Sequence, residues 1–282
     1  MAFKSNVVRQ FVFVFCFCGI VVCESQPAWL EESRTVFSEL ALCGGTQLLS
    51  VNDEGGGRLI RSRPALRKFM EEATHALCSS EIVPIKFLRY QVGSKDWNGR
   101  DTSYEFQRRP GFLFSVSQGK AKGEVCLLLA PGVAKELTVV KTEAPSQKKA
   151  DLALINKIEA KTKHKVVSAE AITRAGNNVL WAVNFKQEGD KKRAGFFLEP
   201  SSAWYDEYVA SCSAAQCDSF RVGGGYGIAA SDFYVFTSVK WKGHDLFLVG
   251  WSAEEGTSIF SLNVDGEKIV NTDLGYLYEL PV

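Results

Sequence analysis

Between residues 147 and 199 the spacing of apolar positions changes from helical to alternating. Leu154, Ile155 and Ile158 recur at helical intervals with Ala150, while Lys148, Lys149, Asp151, Lys157 and Lys161 take the other directions, so residues 147–162 read as an amphipathic helix. From residue 179 the period falls to two: Val179, Trp181, Val183 and Phe185 alternate with Leu180, Ala182, Asn184 and Lys186. That is a strand with one fully apolar face. The run 165–174 is also β-rich, and Ala175-Gly176-Asn177-Asn178 between the two runs supplies residues that tolerate positive φ in a hairpin turn. A third strand over 194–199 follows the polar turn at Gly189 and Asp190.

Two flanking stretches repeat this order. Upstream, Leu66, Phe69, Met70, Ala73 and Leu77 form one helical face over 64–78, followed by β-like runs at 82–92, 111–117 and 124–130. Downstream, Trp204, Tyr205, Tyr208, Val209 and Cys212 make a helical stripe, and strands follow at 233–241, 244–251 and 257–264. A further helix over 27–42 opens the mature chain, with Trp29, Val36, Phe37, Leu40 and Cys43 on one face and Gly44-Gly45 ending it. The expected fold is therefore α+β: helices packed on antiparallel meanders, with a helix-plus-three-strand layout repeated about three times. The corresponding division is 26–140, 141–200 and 201–282.

Residues 1–25 are set apart. Lys4 and Arg9 precede an uncharged apolar run over 11–23, after which Glu24, Ser25 and Gln26 restore polarity, which is the layout of a secretory signal peptide. The run is short for a membrane-spanning helix, which needs about 20 residues. Export to a secreted or periplasmic location follows, with no membrane span after cleavage. Loss of Lys4, Arg9 and Glu24 takes the formal net charge from +1 to zero. A neutral chain lacks the clustered positive charge on which binding to nucleic acid rests. The local basic group Arg58, Arg61, Arg63, Arg67 and Lys68 reads as a solvated loop and polar helix face.

Export changes the meaning of the cysteines. Cys43, Cys78, Cys126, Cys212 and Cys217 remain after the signal, and in an oxidising compartment four of five would pair. Cys212 with Cys217 would close a small local loop, and Cys43 with Cys78 would join two predicted helix ends. Neither spacing suits zinc, which takes two close Cys or His pairs, and His75, His164 and His244 are scattered, so neither metal nor cofactor is implied. The glycine-rich run 221–227 follows a helix and precedes a strand, the reverse of a phosphate-binding loop, and reads as a bulge or wide turn.

Candidate chemistry comes from two places. The polar insertion 93–109 carries Asp96, Trp97, Asn98 and Tyr104, and aromatics on a long charged loop form a contact surface unless the Trp folds back onto the core. Elsewhere, Gly243-His244 leading into Leu246-Phe247-Leu248-Val249-Gly250-Trp251 resembles the histidine strand of papain-like cysteine peptidases, and Cys43-Gly44-Gly45-Thr46 resembles their nucleophile segment. That resemblance implies a cysteine hydrolase with Cys43 as thiolate and His244 as its base. Against it, Cys43 falls at the C-terminal end of a predicted helix, where the dipole opposes a thiolate. The structural alternative has His244 opening a hairpin strand and Cys43 packing or bridging. The helix-on-meander layout is similar to cystatin-like and PepSY-like arrangements, but Gln91-Val92-Gly93 lacks the spacers of the cystatin wedge, so no residue role is carried over. The leading expectation is an exported, non-enzymatic protein that binds another protein or an envelope component through hairpin tips and the 93–109 loop. The cysteine hydrolase and a structural surface protein are the alternatives.

Overall fold

A computed structural model describes residues 37–51, 63–212, 228–252 and 256–279. Among these residues there are two α-helices, α1 (Arg63–Glu72) and α2 (Leu152–Thr162), against sixteen strands. The α+β expectation is thereby overturned: the protein is mostly β, built of barrel-like sheets. The predicted signal peptide and the glycine-rich run 221–227 lie outside the described residues.

The first sheet contains β1 (Phe37–Cys43), β2 (Gln47–Ser50), β3 (His75–Cys78), β4 (Glu81–Gln91), β5 (Gly111–Val116) and β6 (Val125–Leu129). They close into a barrel in the order β1-β2-β5-β4-β3-β6. Along β1 alternation then gives two buried faces. Ala41 and Cys43 point into the barrel with Leu48, Cys78, Phe114 and Leu128, and α1 adds Phe69, Met70 and Ala73 to the same cluster. Leu40 and Leu42 point outward, where they meet Leu127, Leu246, Leu248 and Ile259 of a mixed cluster that spans both sheets.

The second sheet has ten strands: β7 (Leu137–Val140), β8 (Thr142–Glu143), β9 (Val166–Ala175), β10 (Asn178–Phe185), β11 (Lys191–Glu199), β12 (Ala203–Ser211), β13 (Phe233–Trp241), β14 (His244–Ser252), β15 (Gly256–Asp265) and β16 (Lys268–Tyr278). Their order is β7-β13-β14-β15-β16-β12-β11-β10-β9-β8. Its two edges, β7 and β8, are separated in sequence only by Lys141, so one stretch of chain pairs with β13 and then with β9 and draws the sheet round on itself. Where β12 meets β16 the pairing is a single parallel contact, Trp204 opposite Lys268. The interior is filled by Leu180, Phe196, Phe247, Phe260 and their neighbours. The strands of 141–200 and 201–282 thus belong to one sheet.

α2 covers the outside of this sheet. Asp151 caps its N-terminus by accepting a hydrogen bond from Leu154 N–H at 2.9 Å. Leu154 and Ile158 are buried against Ala171, Trp181, Val183 and Phe197, each burial stabilising by about 1.5–3 kcal/mol. No helix among the described residues is long and apolar enough to cross a membrane.

Two of the four predicted helices are strands where they are described, and a third is shorter than expected. The opening helix over 27–42 is replaced, where it is described, by strand β1. Both faces of β1 are buried and its register shifts between Phe37 and Glu39. A strand buried on both sides shows no alternation, and the bulge spaces its apolar residues as a helix would. The helical stripe expected over 204–212 is strand β12. Ala203, Tyr205 and Ala210 all enter the same interior although 205 and 210 differ by an odd number, because the register slips opposite Gly195. A Cβ at Gly195 would lie 1.9 Å from the carbonyl oxygen of Tyr205, so the bulge closes onto a residue without a side chain. The helix expected over 64–78 stops at Glu72, and Leu77 belongs to β3.

Candidate functional site: the 93–109 loop and the cleft at the seam

The connection from β4 to β5 is held from below by two buried side chains. Gln91 donates through Nε2 to the carbonyls of Phe106 and Arg109, both at 2.8 Å. The Arg109 guanidinium is 1% exposed; it donates to Asp101 Oδ1, to the carbonyl of Ser50 at 3.2 Å, to that of Pro110 at 2.9 Å and to that of Val51. Asp101 in turn exchanges two hydrogen bonds with Tyr278 of β16, its N–H donating to the Tyr278 carbonyl at 2.7 Å and its Oδ2 accepting from the Tyr278 N–H at 3.1 Å. One loop thereby joins β2 of the barrel to the last strand of the second sheet.

Above this anchor the four predicted contact residues separate. Trp97 folds back: its ring lies 5.5 Å from the Arg109 guanidinium carbon, and its Nε1 donates to the Arg100 carbonyl. Asp96 and Asn98 are exposed. Tyr104 is 92% exposed at a short 3-10 turn, Ser103–Glu105. Sequence reasoning missed Arg109, Asp101 and Gln91, which organise the loop. A buried arginine carries no local pattern, because what makes it structural is the set of carbonyls that fold around it.

Beside Tyr104 a cleft of about 190 Å³ opens at the seam between the sheets, with Leu42, Val125 and Leu277 in its wall and Asp101, Glu124 and Glu279 around it. Burial pushes the Glu279 carboxyl above its ordinary value; a hydrogen bond from the Thr257 hydroxyl opposes this, and the charges of Glu124 and Asp101 reinforce it. Tyr234 is likewise raised, first by burial, with Glu279 and Glu124 adding to the shift. Among the described residues no group of three His, Cys, Asp or Glu side chains is arranged to hold a metal ion.

The cysteines pair otherwise than their spacing suggests. Cys78 and Cys126 stand opposite each other on β3 and β6 and are joined in a disulfide, so the expected Cys43–Cys78 staple does not form. Cys43 is free and buried. Cys212 is disulfide-bonded; its expected partner, Cys217, lies outside the described residues. Disulfides are compatible with an oxidising, extracellular location.

Cys43 and His244 fall on different sheets. Cys43 points into the first barrel from a strand and not from a helix end, packed with the Cys78–Cys126 bridge. His244 begins β14 immediately after the Lys242-Gly243 turn, opposite Trp241 of β13. No protein-family model, curated protein or solved structure matches this chain.

Proposed function

We propose that this is an exported, non-enzymatic binding protein whose 93–109 loop contacts another protein or an envelope component. Tyr104 carries the reading. A large amphipathic side chain stands almost fully in solvent, on a loop whose base is anchored by Arg109 and Asp101. An anchored loop loses little conformational freedom on binding, and tyrosine supplies much contact area for few rotatable bonds. Val92, at the foot of the same loop, is also 79% exposed. Export is supported by the apolar run near the N-terminus and by the disulfides.

The test uses the immobilised protein and an extracellular or envelope extract of its source. A partner retained by the wild type and by Val209→Ser, a change at an exposed site on β12, should be lost with Tyr104→Ala, the loss being about 30-fold in affinity if Tyr104 is a hot spot. Equal retention by Tyr104→Ala would remove the loop from the binding surface.

A further inference from the structure

The tip of the 93–109 loop carries the dipeptide Asn98-Gly99, and its geometry has the parts of a reaction. Gly99 adopts φ +84°, a conformation suited to glycine, and nothing lies within 4 Å of where a Cβ would sit, so its amide nitrogen is flanked by no side chain of its own. Asn98 folds forward over Gly99: its Oδ1 accepts the N–H of Arg100 at 3.1 Å. A donor on that oxygen polarises the carbonyl and stabilises the oxyanion that forms when Cγ is attacked. The amide nitrogen that would leave, Nδ2, points to Glu105 Oε1 at 3.4 Å. Both Asn98 and Gly99 are exposed, so water reaches them.

We propose that Asn98 is a self-modification site, deamidating in the folded protein through the backbone of Gly99 and releasing the loop from Glu105. The Gly99 N–H gives its proton to water, and the nitrogen bonds to Asn98 Cγ. The Cγ–Nδ2 bond breaks and ammonia leaves with a proton from solvent. Water then opens either carbonyl of the five-membered imide, leaving aspartate or isoaspartate. One water is consumed and one ammonia is released, with no change in oxidation state. Asparagine is among the thermolabile residues for this reason.

Glu105 makes the conversion consequential. Its carboxyl group is buried; Oε1 accepts from Asn98 and from Arg108 Nη1 at 3.3 Å, and Oε2 has no hydrogen-bond donor among the described residues. Deamidation replaces the Asn98 donor with a second carboxylate at that position, exchanging an attraction for a repulsion. The loop tip should then part from the turn that carries Tyr104. The modification itself does not depend on the loop being a binding surface.

The full-length protein is incubated in mildly alkaline buffer, native and in urea, and residue 98 is followed by peptide mapping with separation of aspartate from isoaspartate. Conversion in the native state at least as fast as in urea is expected; slower native conversion would overturn the preorganised reaction. Asn98→Gln, whose longer side chain disfavours the five-membered ring, should stay unmodified. Tryptic cleavage after Arg100 is then compared in fresh wild type, aged wild type and Asn98→Asp. Aged protein and Asn98→Asp should be cut about tenfold faster, the equivalent of one hydrogen bond to a charged group. Unchanged cleavage of aged wild type would overturn the release.

Discussion

The Arg109 guanidinium and the Asp101 carboxylate form an ion pair that is 1% and 9% exposed, and through it β2 of the barrel is tied to β16 of the second sheet. Removing one partner of such a pair leaves the other as a buried charge. Arg109→Ala should therefore cost about 3–5 kcal/mol in urea unfolding, and Asp101→Asn less, since the amide still accepts. If Arg109→Ala unfolds within about 1 kcal/mol of wild type, the pair is no anchor.

The Cys78–Cys126 bridge closes a loop of 48 residues, which corresponds to about 4 kcal/mol of lost unfolded-state entropy. Joint replacement of both by Ala should lower stability by about 2–5 kcal/mol. Non-reducing peptide mapping checks the pairing directly, and Cys43 should be recovered alkylated only after unfolding because it is buried.

Glu279 sets a pH dependence of defined sign. Its folded-state value is raised, so the folded protein holds a proton that the unfolded chain has already lost, and stability falls as pH rises from the ordinary carboxyl value through the raised one. Glu279→Gln should be more stable than wild type above that window and equal to it below. A constant difference between the two proteins from acid to neutral pH would rule out this coupling.

At Gly195 the β11–β12 bulge brings the Tyr205 carbonyl to 1.9 Å from any added Cβ. Because the obstacle is backbone, it cannot rotate away, and Gly195→Ala should cost about 1–3 kcal/mol by thermal unfolding, as overpacking does. A neutral substitution would mean that β12 slips its register freely.

The hairpins were legible, and of the four predicted helices two, α1 and α2, are present. β9 and β10 flank Gly176-Asn177 as their turn residues require, and β13, β14 and β15 begin and end within about two residues of their expected bounds, the usual error of such boundaries. α2 is present with its cap at Asp151. At β1 and β12 the alternation was hidden, in one by burial on both faces together with a bulge and in the other by the slip over Gly195. Of the candidate loop residues, Tyr104 is almost fully exposed, while Trp97 turns inward to Arg109.

Local chemistry along the chain decided what adjacent residues do with each other: which turns reverse it, where α2 starts, which strands have an apolar face. Closure was decided elsewhere. That β7 and β8 are two edges of one curled sheet, that Cys78 meets Cys126, and that Arg109 gathers the carbonyls of Ser50 and Val51 with Asp101 all depend on contacts between residues 8 to 59 positions apart or on sheet order, and a local period carries no information about either.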